Sequence, residues 1–586
     1  MNNRIAQVVL GLPVEGPFDY FLPEAFRDKV KEGQRVYVSF AFRKTIGYVI
    51  GLRKQSPIKN LKPVLALLDE LDPALSATQL TLAKTFSDYY GCSWGEAIES
   101  SLPAVLRRKT VSNFAARRDD PVPQQQGETI LCHDQQGDGR WPVVLKKIKD
   151  ALAQGRGVIV LVPEVNLIES VKSMIEGACA VIAAVIDRKL KPSEELVQWT
   201  SIKNGTSRVV VGTRSAVFAP VDQLGLIVMD EEDNSAYKQE QSPRYQTRDV
   251  VFMRQKFEGC DVVFVSPCPS PELWGIIKKK KISVEIFLNK QWADTTIVDL
   301  ANYKPRKGTY LSYPMINHIE EALANDGKVV VFFNRKGPRE ETRNDQIKYF
   351  YPPAAGSDQE RRLQNWQASV VKVEADLKKF FPYARVARFD QESARFPEEA
   401  NVIVATQAVV KHLRRIHPRL LAVLAIDSEL NRFDFHSAHR VFSLLMHFRQ
   451  VAQKKLVIQT YQPQEYTLAS VGKADFAGFY QQELKHRRNL GFPPYQHFIS
   501  IQLRGKKEDV VADLANQLYA ALTSCLTKQE QIFDPQAVGS FKLRKQYRFS
   551  IMLKTVFVEK LIKRIRPVIR GFKNKKGVIV TINVDP

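Results

Sequence analysis

A chain of 586 residues is too long for one hydrophobic core, so three to five domains are expected. A net charge of +23 and a pI near 9.6 point to a polyanionic partner, and the lack of any apolar run of transmembrane length favours nucleic acid over a membrane. Cys92, Cys132, Cys179, Cys260, Cys268 and Cys525 are scattered, with no Cys-x-x-Cys pair and no histidine at ligand spacing; this argues for a reducing cytoplasm and against a disulfide framework or structural zinc.

Residues 4–52 alternate apolar and polar positions in short runs (Ile5 to Leu10, Phe18 to Leu22, Gln34 to Phe40, Ile46 to Leu52) and predict a small β-barrel or folded sheet. Within it, Phe18-Asp19-Tyr20 sets a carboxylate between two rings. That arrangement suits stacking of a base with a hydrogen bond to a terminal hydroxyl, or simply a core Phe beside a turn. A helical stretch from 77 to 103 follows, with Ser76 or Thr78 as cap, then a basic, Pro- and Gln-rich linker over 104–128.

From 129 the pattern becomes alternating strand and helix. Apolar runs at Val158 to Val162, Val209 to Val211, Leu224 to Met229 and Asp261 to Val265 predict a doubly wound parallel sheet. A second set follows at Val329 to Phe333, Ala384 to Phe389, Val402 to Val404, Leu421 to Ile426 and Leu456 to Gln459. The tail from about 470 adds strands at Phe498 to Leu503, Phe549 to Leu553 and Val578 to Val584, a smaller α+β domain. The expected domains are therefore 1–103, a linker over 104–128, lobes at 129–300 and 301–470, and 471–586.

The run Leu224 to Met229 ends in four acids, Asp230, Glu231, Glu232 and Asp233. Acids at the carboxyl end of a buried parallel strand lie where open α/β sheets bind ligands, and in nucleotide-driven motors they hold Mg²⁺ and aim a water. A solvated charged turn is the other reading. Near the C-terminus, Lys542, Arg544, Lys545, Tyr547, Arg548 and Phe549 interleave cations with rings, which suits DNA, an acidic peptide tail, or an amphipathic strand with one wet face.

Leu161-Val162-Pro163-Glu164, the block Val211-Gly212-Thr213-Arg214-Ser215-Ala216-Val217-Phe218-Ala219-Pro220, and Asp230-Glu231-Glu232 with Tyr237-Lys238-Gln239 and Arg244-Tyr245 closely resemble the PriA family, the superfamily 2 DNA helicases of bacterial replication restart. Phe18-Asp19-Tyr20, Gly33-Gln34-Arg35-Val36 and Gly47 resemble its 3′-end-binding domain; Phe332-Phe333-Asn334-Arg335-Lys336-Gly337, Pro493-Pro494-Tyr495 and Val584-Asp585-Pro586 resemble landmarks farther on. The resemblance implies tandem RecA-like helicase lobes between a β-rich DNA-binding domain and an α+β C-terminal domain. It also implies ATP and Mg²⁺ as cofactors, and forked, single-stranded or 3′-ended DNA as partner. Single-strand-binding protein and other primosome proteins are further implied partners. Phe18, Asp19, Tyr20, Arg35 and Gly47 would then form the 3′-end site.

Several motifs depart from that pattern. A phosphate loop needs Gly, four residues, then Gly-Lys-Ser/Thr, so that backbone amides cradle phosphates and a hydroxyl reaches Mg²⁺. The aligned segment runs from Asp134 to Trp141 and keeps only Gly137 and Gly139, with Arg140 in place of the lysine and Trp141 in place of the hydroxyl. Asp134 and Asp138 add negative charge where phosphates would sit. Ser266-Pro267-Cys268-Pro269 replaces a Ser-Ala-Thr motif, and Gln450 to Lys455 brings no arginine to the finger position. Asp233 stands where the family carries histidine, the family's winged helix has no counterpart but the 104–128 linker, and its zinc ligands are missing after Gly337. Asp230, Glu231, Gly137, Gly139, Arg140 and Arg214 are then a nucleotide-site remnant, and no metal or nucleotide cofactor is expected. The expected function is DNA binding in replication restart and repair without ATP hydrolysis. The alternatives are an active ATP-dependent 3′–5′ helicase with atypical motifs and a protein-recruiting scaffold at forks.

Overall fold

The computed structural model describes residues 5–69, 72–108, 127–137, 139–288, 291–305, 308–334, 370–393, 395–432, 434–543, 546–573 and 575–586, without side chains over 539–545. Most of the linker and the segment from Arg335 to 369 thus lie outside the described residues, as does Asp138.

The N-terminal strands β1 (Ile5–Leu10), β2 (Phe18–Phe21), β3 (Arg35–Phe40), β4 (Arg43–Arg53) and β5 (Val64–Leu67) form one sheet in the order β2-β1-β4-β3-β5, with antiparallel neighbours. Ala6, Val8 and Leu10 of β1 alternate into the sheet's own core, while Val9 and Tyr48 face the core shared with the first lobe, so both faces of β1 are buried; β5 is too short to show a period. The 77–103 stretch is two helices, Ala77–Tyr90 and Trp94–Ser101. Gly91 breaks it at φ +67, and Ser93 caps the second helix by accepting from the Glu96 amide, just as Ser76 caps the first.

The first lobe has seven strands: β6 (Thr129–Asp134), β7 (Gly157–Leu161), β8 (Ala183–Ile186), β9 (Val209–Gly212), β10 (Leu224–Met229), β11 (Asp261–Ser266) and β12 (Ser283–Phe287). They are parallel and ordered β12-β6-β11-β10-β7-β9-β8. Every residue of β10 is buried, because both faces of the sheet are covered. Ile227 and Met229 join a core continuous with the helix at 77–90 and the C-terminal domain, while Leu226 and Val228 face the helices at 141–153 and 168–179. The apolar-run reading missed β6, β8 and β12.

The second lobe carries β13 (Asp294–Asp299), β14 (Val329–Phe333), β15 (Val386–Phe389), β16 (Val402–Ala405), β17 (Leu420–Leu424) and β18 (Lys455–Thr460), ordered β13-β18-β17-β14-β16-β15. Its limits differ from the expected 301–470. Strand β13 pairs with β18 before residue 300, and Phe476, Phe479 and Tyr480 from the helix Phe476–Leu490 pack into the lobe's core with Phe442. The C-terminal sheet, β19 (His497–Gly505), β20 (Gln531–Leu543), β21 (Gln546–Thr555) and β22 (Ile579–Val584), runs β20-β21-β19-β22 against the helices Glu508–Thr523 and Val558–Phe572.

Candidate nucleotide cleft and nucleic-acid surfaces

The sheet order places three chain segments at one edge of the first lobe: residues 135–137 and 139–140 after β6, the acids after β10, and Ser266-Pro267 after β11. This is the carboxyl edge of a parallel sheet, where such folds take ligands. The Asp134 carboxylate, at the end of β6, is fully buried. One oxygen accepts from the amides of Gln136 (3.2 Å) and Gly137 (3.0 Å), and the other accepts from the Arg140 amide at 3.3 Å. A carboxylate from the chain itself therefore caps the loop amides at the start of the helix Trp141–Ala153, the position a helix N-terminus otherwise offers to an anion.

Arg140 bridges the two acidic positions. Its guanidinium donates to Asp134 at 3.0 Å and to Asp230 at 3.2 Å, donates to the Gly137 carbonyl, and stacks over the Trp141 ring. Burial alone would lower its pKa, but Asp230 and Asp134 hold it above the ordinary arginine range. Burial raises Asp230, and Arg140 offsets part of that. Glu231 sits at φ +48; burial and the Asp230 charge raise its pKa, and its carboxylate accepts from Asn234 at 3.1 Å. Glu232 is tied to Arg248 and Ser270, away from the loop. Asp233 accepts from the hydroxyls of Ser266 and Ser443, and the packing around its carboxyl pushes it up to about 7.

Ser443 belongs to the second lobe, which meets this edge directly. Gln450 donates to the Gln135 carbonyl at 3.0 Å, and a side chain at Gly137 would come within 2.4 Å of the Arg414 guanidinium. Arg414 also bears on Glu231, where its charge offsets a small part of the rise that burial imposes. Sequence reasoning missed Arg414, which lies in the basic run Lys411-His412-Leu413-Arg414-Arg415. Arg449, by contrast, donates to the carbonyls of Ala293 and Val471 and serves the second lobe's own packing. Arg214 begins the short helix Arg214–Phe218 after β9 and donates to the Ala236 carbonyl at 2.8 Å. Its guanidinium lies beside Arg188, and burial followed by that like charge lowers its pKa.

In the N-terminal sheet, Asp19 is half-buried and accepts from Ser56 at 2.6 Å. The Phe18 ring packs on Phe40 at 5.1 Å between centroids, while Tyr20 is buried and donates to the Ser39 carbonyl. Two residues expected at the 3′-end site take other roles. Arg35 is completely buried, paired with Asp69 and donating to the Leu106 carbonyl, so its charge does not reach solvent. Gly47 serves packing, since an added Cβ would lie 2.2 Å from Val8. The partner of Arg35 is 34 residues away, which no local pattern reveals.

At the C-terminal sheet, Arg548 on β21 pairs across from Arg504 on β19. Together they face Arg244 of the first lobe, whose pKa is lowered by burial first and then by these two like charges. Tyr547 neighbours them; the side chains of Lys542, Arg544 and Lys545 lie outside the described residues. Among the described residues there is no group of three or more His, Cys, Asp or Glu able to hold a metal ion, and no helix long and apolar enough to cross a membrane.

Two parallel-sheet lobes, the second laying its helices over the acidic strand end of the first, define a helicase-like α/β protein, here fused to two smaller domains. Comparisons with known proteins agree. Residues 7–103 match the 3′DNA-binding domain of PriA, 141–272 the DEAD/DEAH box helicase domain, and 488–586 the primosomal protein N C-terminal domain. The replication restart protein PriA of Chlamydia trachomatis is 28% identical, covering 79% of this chain and 69% of its own. That of Treponema pallidum is 26% identical, covering 99% of both. Among solved structures, RecG bound to a three-way DNA junction aligns with a TM-score of 0.33 at 13% identity, over 62% of this chain and 47% of that one. The chain is thus similar to the PriA replication-restart proteins at both ends and, in the Treponema pallidum relative, along its whole length.

Proposed function

We propose that this protein binds forked or 3′-ended DNA during replication restart and does so without hydrolysing ATP. The observation that carries the second half is the self-satisfied loop. The amides of Gln136, Gly137 and Arg140 are already taken by Asp134, and the Asp230 carboxylate is already neutralised by Arg140. Mg·ATP fits these residues poorly. Its phosphates would have to displace a buried carboxylate from those amides, and its metal would have to displace a guanidinium from Asp230. Trp141 supplies no hydroxyl to the ion, and Arg449, bound to backbone carbonyls, supplies no finger. The persistence of Asp230 and Glu231 at the strand end favours the rival reading, an active 3′–5′ helicase with atypical motifs. Turnover separates the two.

The first half rests on the matched 3′DNA-binding domain and the position of Asp19 beside Phe18. One Asp19 oxygen is engaged by Ser56; the carboxylate has a second to accept from a terminal 3′-hydroxyl, while the Phe18 ring takes a base. Asp19→Ala is expected to weaken binding to a duplex with a free 3′ end by about 10-fold, the scale of one hydrogen bond to a charged group. Binding to the same duplex with a 3′-phosphate should change little. Fluorescence anisotropy on the two substrates tests it, and equal losses on both would make Asp19 a purely structural residue. Single-strand-binding protein and other primosome proteins are proposed partners of the C-terminal domain, and the cytoplasm the proposed compartment.

A further inference from the structure

The tip of the β3–β4 hairpin departs from the usual chemistry of such turns. Phe40 pairs with Arg43, so the loop is only two residues, Ala41 and Phe42, and both have positive φ, +44 and +62. A two-residue turn with both centres left-handed favours Asn-Gly, because a side chain strains that conformation. Here it holds a phenylalanine that is 100% exposed, the most exposed large apolar side chain among the described residues. Strain and lost hydrophobic burial at one residue are both costs, and neither benefits the fold. Such an outlier points to function.

The surroundings say what Phe42 meets. Residues 35–62 contain seven Lys and Arg and no Asp or Glu. Arg43 and Lys44 flank the tip, both exposed, and Lys62 reaches over the Phe42 ring at 5.5 Å. An apolar ring ringed by cations is mismatched to an apolar protein groove but complements a nucleic acid, which offers a flat base beside a phosphate. Phe42 also stands two residues beyond Phe40, whose ring packs on Phe18.

We propose that Phe42 is a stacking wedge that lies against a base at the DNA terminus, with Arg43, Lys44 and Lys62 on the adjoining phosphates. This rests on the reading of the N-terminal domain as a DNA-end binder and adds the residue that grips the base next to the Asp19 pocket. Phe42→Gly is the informative variant, because glycine relieves the backbone while removing the ring. The full-length variant is expected to melt at or above the temperature of the parent, yet to bind a forked duplex with a free 3′ end about 5- to 100-fold more weakly, the range of one base–aromatic stack. Phe42→Trp is expected to retain binding. With 5-iododeoxyuridine as the 3′-terminal nucleotide, photocrosslinking should label the peptide containing Phe42 in the parent. Unchanged affinity of Phe42→Gly, or crosslinks confined to other peptides, would overturn the proposal. If Asp19→Ala fails to discriminate free from blocked ends while Phe42→Gly still weakens binding, the wedge stands and 3′-hydroxyl recognition falls.

Discussion

Arg140→Ala is expected to destabilise the first lobe by about 3 to 5 kcal/mol, the cost of stripping the partner from a buried ion pair. In a working phosphate loop the equivalent cation faces a ligand, so its removal would abolish turnover and leave the fold largely intact. Here the guanidinium, with only 12% of its side chain exposed, is the counter-charge to both Asp134 and Asp230, whose side chains are 0% and 4% exposed. Removing it strands two buried carboxylates. Chemical denaturation followed by tryptophan fluorescence reads the effect directly, since Trp141 lies under the guanidinium. A double variant, Arg140→Leu with Asp230→Asn, should recover part of the loss, because it removes one of the stranded charges along with the cation. Arg140→Ala with stability equal to the parent would mean that the bridge carries no weight.

The second large effect is on DNA. Affinity for a forked duplex is expected to fall by about 10³- to 10⁵-fold between roughly 50 and 200 mM salt, as when six to ten phosphates are contacted. The charge of +23 is not spread evenly. Arg188 lies beside Arg214, and Arg244 faces Arg504 and Arg548, with Glu240 as the opposing acid. Arginines set against one another are poorly placed to stabilise the fold, and a polyanion relieves their repulsion. Replacing Arg504 and Arg548 together by alanine should lower the salt slope by about 2 without changing sequence preference. A flat salt response would contradict a phosphate-tracking surface.

The legible parts of the fold are those written in local pattern. Leu224 to Met229 reads as a buried strand because both its faces are covered, and Ser76 reads as a cap because its hydroxyl serves the next turn. Strand β6 was missed because it follows the linker and ends in His133-Asp134, polar residues buried by neighbours remote in sequence. The same holds at the sites. The loss of the lysine and hydroxyl from the loop is visible residue by residue. That Asp134 folds back onto amides two to six residues further on is a matter of local turn geometry that residue type alone does not announce. That Arg414 and Gln450 arrive from the second lobe depends on packing across some 270 to 320 residues of chain. Arg35 is placed at the 3′-end site by resemblance alone, and nothing near it in sequence announces Asp69, 34 residues on, as its buried partner. Phe42 was in plain view as an aromatic in a basic run, but only the turn geometry shows that it is held out in solvent.

The most direct test of the account is ATP turnover by the full-length protein with saturating forked DNA and Mg²⁺, measured by release of radiolabelled phosphate alongside an Asp230→Asn control. A protein that does not hydrolyse ATP gives no DNA-stimulated release above the control, and no thermal stabilisation by millimolar Mg·ATP, where a ligand at about 100 times its Kd would add about 2.7 kcal/mol. DNA-dependent phosphate release that disappears in Asp230→Asn would show a live motor and contradict that reading.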